Sequence, residues 1–180
     1  MSDLIMIIRH GEKALPDGST LGVDRDGRAN DDSLNVRGWE RAGALVGFFA
    51  WPHLAGIAVP DHLYAPRPTT EDPSRRPLQT VEALGARLGR VVSTAYRKED
   101  LAELVRELEQ VEGPVLVSWE HKAIVKLANL LMHSRSQTPQ RWPDDRFDVV
   151  WRFERASGGW QFSQLPQRLL AGDPVSIIEG

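Results

Sequence analysis

Two histidines of this sequence closely follow short apolar segments. Arg9 and His10 come directly after LIMII at residues 4–8, and His121 comes shortly after VLVS at residues 115–118. Runs of this length predict strands that are buried on both faces, as in a parallel sheet. Because open α/β sheets bind ligands at the carboxyl ends of their strands, we expect both histidines at one pocket.

Arginines stand where they could join the histidines in binding an anion. Arg9 precedes His10, and Arg75 and Arg76 lie between a predicted strand and a predicted helix. A planar guanidinium group matches the oxygens of a phosphate, and a helix N-terminus adds N–H donors and a favourable dipole. These residue types therefore predict a cationic pocket for a phosphate group.

Strands and helices alternate in the elements that would position these side chains. The predicted strands cover residues 4–8, 62–65, 91–92 and 115–118, with a hairpin at 148–154 and 160–165; the predicted helices cover residues 35–50, 77–88, 100–111 and about 121–132. This alternation indicates an α/β fold. No internal repeat and no long linker divides the chain, so we expect a single domain over residues 1–180.

Periodicity and capping signals add detail to two of these helices. In the first helix, five residues are predicted to form the apolar face: Val36, Trp39, Gly43, Val46 and Phe49. In the helix at 100–111, Asp100 is predicted to cap the N-terminus, with Glu103 completing a capping box.

The composition excludes several classes of protein. The 180 residues contain no cysteine, which rules out disulfides, thiolate nucleophiles and Cys-type zinc sites. A net charge of -3 supplies no basic face for nucleic acid. No apolar run approaches the ~20 residues of a membrane span, and no signal peptide is recognisable. We therefore expect a cytoplasmic protein that binds neither nucleic acid nor membranes.

Four segments, in order, resemble the motifs of one enzyme superfamily. IIRHGE resembles the Arg-His-Gly signature of the histidine phosphatase superfamily, which includes the phosphoglycerate mutases. LNVRGWERA, YAPRPTTEDPSRRPLQTVEAL and VLVSWEHKAIVKLANLL resemble its three further conserved segments, so the match covers roughly residues 4–132. The resemblance implies a phosphoglycerate mutase-like fold, a three-layer α/β/α sandwich around a mostly parallel sheet.

The resemblance also implies roles for particular residues. His10 matches the nucleophile, which becomes a phosphohistidine, and Arg9 matches the arginine that holds the phosphate. Arg76 lies four residues before Thr80, as the family's second arginine precedes its threonine, and is therefore preferred to Arg75.

The remaining matches concern the second histidine and the turn after the nucleophile. His121 matches the histidine that binds the phosphoryl group and stabilises the transition state. Gly11 and Glu12 belong to the motif turn and are expected at the substrate-binding site, with a structural role as the alternative for Glu12.

The sequence departs from the family pattern around His121. Glu120 and Lys122 flank it where the family usually has a small residue and a glycine. The family's proton-donating glutamate has no plain counterpart, so one carboxylate among Glu120, Glu99 and Asp100 is expected to act as the acid, Glu120 first. Some small members of the family act on good leaving groups and need no dedicated acid.

These observations predict a metal-independent phosphatase that requires no cofactor. Its substrate would be a small phosphomonoester or a phosphohistidine protein, and the loop at 14–34 would shape substrate choice. A phosphate-binding protein without efficient chemistry, a phosphomutase, and a metal site built on His10 and His121 are the alternatives. Hydrolysis is favoured over mutase chemistry because the chain is shorter than the family's mutases.

Overall fold

The computed structural model describes residues 2–134 and 137–179 and contains one six-stranded sheet. The strands are β1 (Leu4–Arg9), β2 (His62–Tyr64), β3 (Val92–Ser93), β4 (Val115–Trp119), β5 (Val149–Ala156) and β6 (Gly159–Pro166). Their order is β3-β2-β4-β1-β5-β6. The first four of these neighbours run parallel, while β5 and β6 form an antiparallel hairpin beside β1. The mostly parallel sheet that was predicted is confirmed.

Four helices cover the two faces of the sheet. They are α1 (Val36–Ala50), α2 (Arg76–Leu88), α3 (Leu101–Leu108) and α4 (His121–Met132). Within residues 2–134 and 137–179, no helix is long and apolar enough to cross a membrane.

Alternate side chains of the strands pack into two separate apolar cores. On β1, Ile5 and Ile7 join the core beneath α3 and α4, whereas Met6 and Ile8 join the core beneath α1 and α2. Successive residues of a strand point to opposite faces, so a continuous apolar run is required wherever helices cover both sides. Continuous apolar runs such as LIMII are therefore the physical reason for the predicted α/β/α sandwich.

The predicted apolar face of α1 is confirmed at Phe49 and in part at Val46, which is half-buried against the core, and it is wrong at Val36 and Gly43. Val36 is 61% exposed and Gly43 is also exposed, whereas the buried face carries Gly38, Arg41, Ala42, Leu45, Phe48 and Phe49. Apolar residues lie all around this helix, so periodicity alone does not orient it. The buried face includes a charged residue because Arg41 forms ion pairs with Glu12 and Asp173.

The predicted capping box of α3 is also wrong. Asp100 occupies the N-cap position but makes no capping hydrogen bond to the helix. Its carboxylate instead accepts the backbone N–H of Arg97 at 2.9 Å, and Glu103 pairs with Arg106. This local hydrogen bond to the preceding backbone has replaced the cap, a competition typical of Asp.

Candidate active site

The carboxyl ends of β1 and β4 lie side by side. Arg9 pairs with Trp119 in the parallel register, and the backbone N–H of His10 donates to the carbonyl of Trp119 at 3.1 Å. The residues that follow each strand, His10 and Glu120, therefore meet at one edge of the sheet. The neighbouring strand β2 ends at the same edge and leads into residues 65–67.

His10 is 3% exposed, and the protein holds one of its ring nitrogens. Nδ1 lies 2.7 Å from the carbonyl oxygen of Gly11. A carbonyl only accepts, so Nδ1 carries the proton and Nε2 of the neutral ring keeps its lone pair. Burial, the largest effect, and the charges of Arg9 and Arg76 together lower the pKa of His10 to about 3, although the Gly11 hydrogen bond opposes them. The ring is therefore neutral at physiological pH.

Gly11 fits a crowded turn that fixes His10. Its N–H donates to the hydroxyl of Thr80 at 2.9 Å, and that hydroxyl donates to the carbonyl of Arg76 at 2.7 Å. A Cβ at residue 11 would lie 2.9 Å from the carbonyl oxygen of Gly38. The close approach of α1 thus requires a glycine, and Thr80 ties the turn to the start of α2.

Arg9 is completely buried behind His10. Its Nη1 donates to the carbonyls of residues 143, 144 and 146, and its guanidinium stacks 3.8 Å from the ring centroid of Phe147. Nε and Nη2 have no hydrogen-bond partner among the described residues. Burial lowers the pKa of Arg9 to about 10, so the group remains a cation. An anion at this edge would satisfy the remaining donors.

Arg76, rather than Arg75, faces the pocket of His10. Its Nη1 donates to the carbonyl of Asp31 at 2.6 Å, and its Nε has no partner within the described part of the chain. Burial lowers the pKa of Arg76, against the opposing effect of nearby carboxylates such as Asp32. Arg75 is exposed and lines a different cavity, together with Asp24, Asp26 and Asp32 of the acidic loop.

His121 lies between two carboxylates. Its Nδ1 is 2.8 Å from Oε1 of Glu120, and its Nε2 is 2.8 Å from Oδ1 of Asp144. It is the first residue of α4 and borders a cavity of about 1090 Å³ next to the pocket of His10. His121 also contributes, after burial and the charges of the two arginines, to the lowered pKa of His10.

Glu120 caps α4 with its carboxylate. The carboxylate accepts the backbone N–H groups of Lys122 and Ala123, each at 3.1 Å. Burial would raise the pKa of Glu120, but the contact with His121 and these N–H donors lower it to about 2. In the unliganded protein Glu120 is therefore a carboxylate and not an acid.

A cavity of about 80 Å³ joins several of the predicted residues. Its lining consists of His10, Pro66, Arg67, Asp72, Ser74, Arg76, Pro77, Lys98 and Glu120. His10, Arg76 and Glu120 are thus brought together as the sequence predicted, whereas Glu99 lines the larger neighbouring cavity and Asp100 lines neither. No group of three or more His, Asp or Glu side chains within the described ranges is arranged to hold a metal ion.

Glu12 turns away from this cavity. Its carboxylate accepts hydrogen bonds from Nε and Nη2 of Arg41, the shorter of 2.7 Å between Nη2 and Oε1. Oε1 also lies 3.3 Å from Nε of Arg37. Asp173 binds the other side of Arg41 at 2.8 Å. Burial lowers the pKa of Arg41, but the hydrogen bonds and charges of the Asp173 and Glu12 carboxylates together have a larger effect, and the pKa is raised overall. The structure therefore places Glu12 in a supporting ion-pair network, its alternative role.

Sequence reasoning missed several residues at the site. Arg67 and Lys98 add cations to the cavity wall, and Phe147 and Asp144 contact Arg9 and His121 from the segment before β5. No periodicity or family motif marks these residues, because loop packing alone brings them to the site. A cation between two prolines, as in PRP at 66–68, is the one local signal that could have identified Arg67.

Solved structures of phosphatases share this fold over nearly the whole chain. A mycobacterial glucosyl-3-phosphoglycerate phosphatase in complex with VO3 is 16% identical, with a TM-score of 0.56, covering 92% of this chain and 98% of its own. The protein histidine phosphatase SixA complexed with tungstate is 20% identical, with a TM-score of 0.59 and coverage of 91% and 97%. A phosphoserine phosphatase mutant from Entamoeba histolytica in complex with phosphoserine is 13% identical, with a TM-score of 0.56 and coverage of 91% and 95%.

No known family profile matches the sequence. No curated protein matches it either. The structural likeness nevertheless confirms, at the level of the fold, the resemblance that the four motifs carried. The chain has the phosphoglycerate mutase-like fold of these neighbours.

Proposed function

We propose that this protein is a metal-independent phosphatase that works through a phosphohistidine on His10. One observation carries the proposal above the others. His10 is buried and neutral, its Nδ1 is held by the carbonyl of Gly11, and its Nε2 lone pair is left for attack beside the cation of Arg76. A nucleophile that is fixed and not protonated is what a covalent phosphoryl transfer requires.

In the proposed first step, Nε2 of His10 attacks the phosphorus atom of a phosphomonoester. The N–P bond forms as the ester P–O bond breaks, and the alcohol leaves with the electron pair and takes up a proton. Water then attacks the phosphohistidine and gives a proton to Glu120, the O–P bond forms as the N–P bond breaks, and inorganic phosphate leaves while the lone pair returns to Nε2. Arg9 and Arg76 neutralise the charge on the phosphoryl oxygens, and His121 stabilises the transition state.

Glu120 is the proposed proton donor, because it alone among the three candidate carboxylates lines the cavity of His10. In the free protein its low pKa makes it a carboxylate. A phosphoryl dianion bound nearby raises the pKa of a carboxyl group, and this shift would let Glu120 carry the proton that the leaving alcohol needs.

The substrate in this proposal is a small phosphomonoester or a protein phosphohistidine, with no metal or cofactor. The alternative function is phosphate binding without efficient turnover. One observation favours it: Glu120 is committed to capping α4 and to His121, which leaves no protonated acid in the free site. Under that alternative the protein binds phosphate or vanadate but does not hydrolyse phosphomonoesters.

Hydrolysis of p-nitrophenyl phosphate in the presence of EDTA tests the proposal. We expect turnover that survives chelation and falls by at least about a thousandfold in His10→Ala, because the nucleophile is lost. His53→Ala is the matched control, since His53 is exposed and distant from every motif.

Two other results would overturn the proposal in different ways. Turnover that EDTA abolishes would point to the metal-site alternative. Vanadate binding without any turnover in the wild-type protein would establish the phosphate-binding alternative.

A further inference from the structure

The cavity beside His10 has room for a phosphoryl group and little else. Its volume is about 80 Å³. Pockets that enclose a drug-sized ligand measure roughly 300–1,000 Å³, so this cavity admits only a compact group. The alcohol portion of a phosphomonoester must therefore lie at the mouth of the cavity. The side chains at that mouth would decide which substrates are accepted.

Arg67 stands at this mouth on a fixed backbone. It lies between Pro66, which is buried, and Pro68, and its N–H donates to the carbonyl of Tyr96 at 2.7 Å. Proline locks its own φ and restricts the residue before it. The guanidinium therefore extends from an anchored point, although the side chain itself is exposed.

The other charged groups of the cavity are already engaged. Lys98 pairs with Asp72 at 2.5 Å, Glu120 caps α4 and contacts His121, and Arg76 donates to the carbonyl of Asp31. Within the described part of the chain, the guanidinium of Arg67 has neither a hydrogen bond nor an ion pair. Among the cations that line this cavity, Arg67 alone has a side chain that contacts no polar protein group in the described part of the chain.

We propose that Arg67 selects phosphomonoesters whose alcohol portion carries a second anionic group, and this rests on the proposed function of the pocket. The phosphoryl group would occupy the small cavity against His10 and Arg76. The second anionic group, a carboxylate or another phosphate, would contact the guanidinium of Arg67 at the mouth. Arg67 is then a specificity residue for the leaving group and takes no part in the transfer of phosphorus.

Two nearly isosteric probes test this selection. They are 4-carboxyphenyl phosphate and its neutral carboxamide analogue, 4-carbamoylphenyl phosphate. Their affinities are measured by calorimetry on His10→Ala, which binds the probes without hydrolysing them. We expect the carboxylate to bind about three- to tenfold more tightly, the range for a partly exposed charge-assisted contact. Arg67→Gln in the same background should bring the affinity ratio close to one, and Arg67→Lys should keep part of it.

Arg75→Gln is the matched control, because it removes an exposed arginine from the same segment but outside this cavity. It should leave the ratio unchanged. A ratio near one in the parent protein, or a ratio that Arg67→Gln does not alter, would overturn the selection by Arg67. Failure of p-nitrophenyl phosphate turnover would instead overturn the proposed function, so the two failures are distinguishable.

Discussion

At the scale of single residues, the chemistry depends on which nitrogen of His10 is free. The carbonyl of Gly11 holds Nδ1, and burial with two neighbouring arginines keeps the ring neutral. Both effects follow from the position of His10 at the end of a buried strand and before a glycine that α1 approaches closely. The histidine is thus prepared as a nucleophile before any substrate binds.

The neutral state of His10 makes the stability of the protein depend on pH. The pKa is 6.5 in the unfolded chain and about 3 in the folded one. Above pH 6.5 both states are neutral, whereas between pH 6.5 and 3 the unfolded chain binds a proton that the folded chain does not. The free energy of unfolding should therefore fall with decreasing pH, by up to roughly 1.4 kcal/mol per pH unit from this residue.

Urea denaturation of the wild-type protein and His10→Gln between pH 4 and 7 measures this contribution. The difference in unfolding free energy between the two proteins should be nearly constant above pH 6.5 and change progressively from there to pH 4, because the groups that titrate in both proteins cancel. His53→Gln, at an exposed position, should follow the wild-type curve. A pH-independent difference between His10→Gln and the wild type would show that His10 titrates normally in the folded state.

At the scale of elements, strand pairing and helix starts bring the site together. The parallel register of β1 and β4 places His10 beside Glu120, while α2 and α4 begin at Arg76 and His121. Glu120 serves two purposes at once in this arrangement. Its carboxylate caps α4 and contacts His121, and it also lines the cavity of the proposed reaction.

The two roles of Glu120 can be separated by the leaving group of the substrate. If Glu120 donates the proton, Glu120→Gln should slow phenyl phosphate, a poor leaving group, at least about tenfold more than p-nitrophenyl phosphate. Glutamine keeps one oxygen that can still accept from the start of α4, so a purely structural role of Glu120 should leave both substrates equally affected. Comparison of kcat for the two substrates measures the difference, and an equal loss would exclude Glu120 as the donor.

Most elements could be predicted from the sequence because their signals are local. Continuous apolar runs predicted β1 and β4, and Pro77 marked the first turn of α2. The face of α1 could not be predicted, since Arg41 is buried by partners far away in sequence, Glu12 and Asp173. Local patterns carry no information on such long-range pairs.

The same limit applied to the site. The motif residues His10, Arg76 and Glu120 could be placed together because strand ends meet at one edge of a parallel sheet. Arg67 and Asp144 could not, because their positions depend on how loops pack onto that edge. Their contribution is visible only in three dimensions.

At the scale of the whole molecule, the last third of the chain supports the site from behind. Residues 143–147 enclose Arg9 through three carbonyls and an aromatic ring. Asp173, close to the C-terminus, forms an ion pair with Arg41. Arg41 also pairs with Glu12, which lies two residues after His10. The sequence had indicated no role for the C-terminal 40 or so residues. The structure shows that they close the network around the Arg-His-Gly turn.

The proposed mechanism requires that His10 becomes phosphorylated during turnover. To detect this intermediate, the protein is mixed with ³²P-labelled phenyl phosphate, quenched in alkali, and the labelled peptide is mapped. We expect an acid-labile, alkali-stable label on His10 that is absent in His10→Ala and present in His53→Ala. Turnover without any label on His10, or with an acid-stable label elsewhere, would contradict the mechanism.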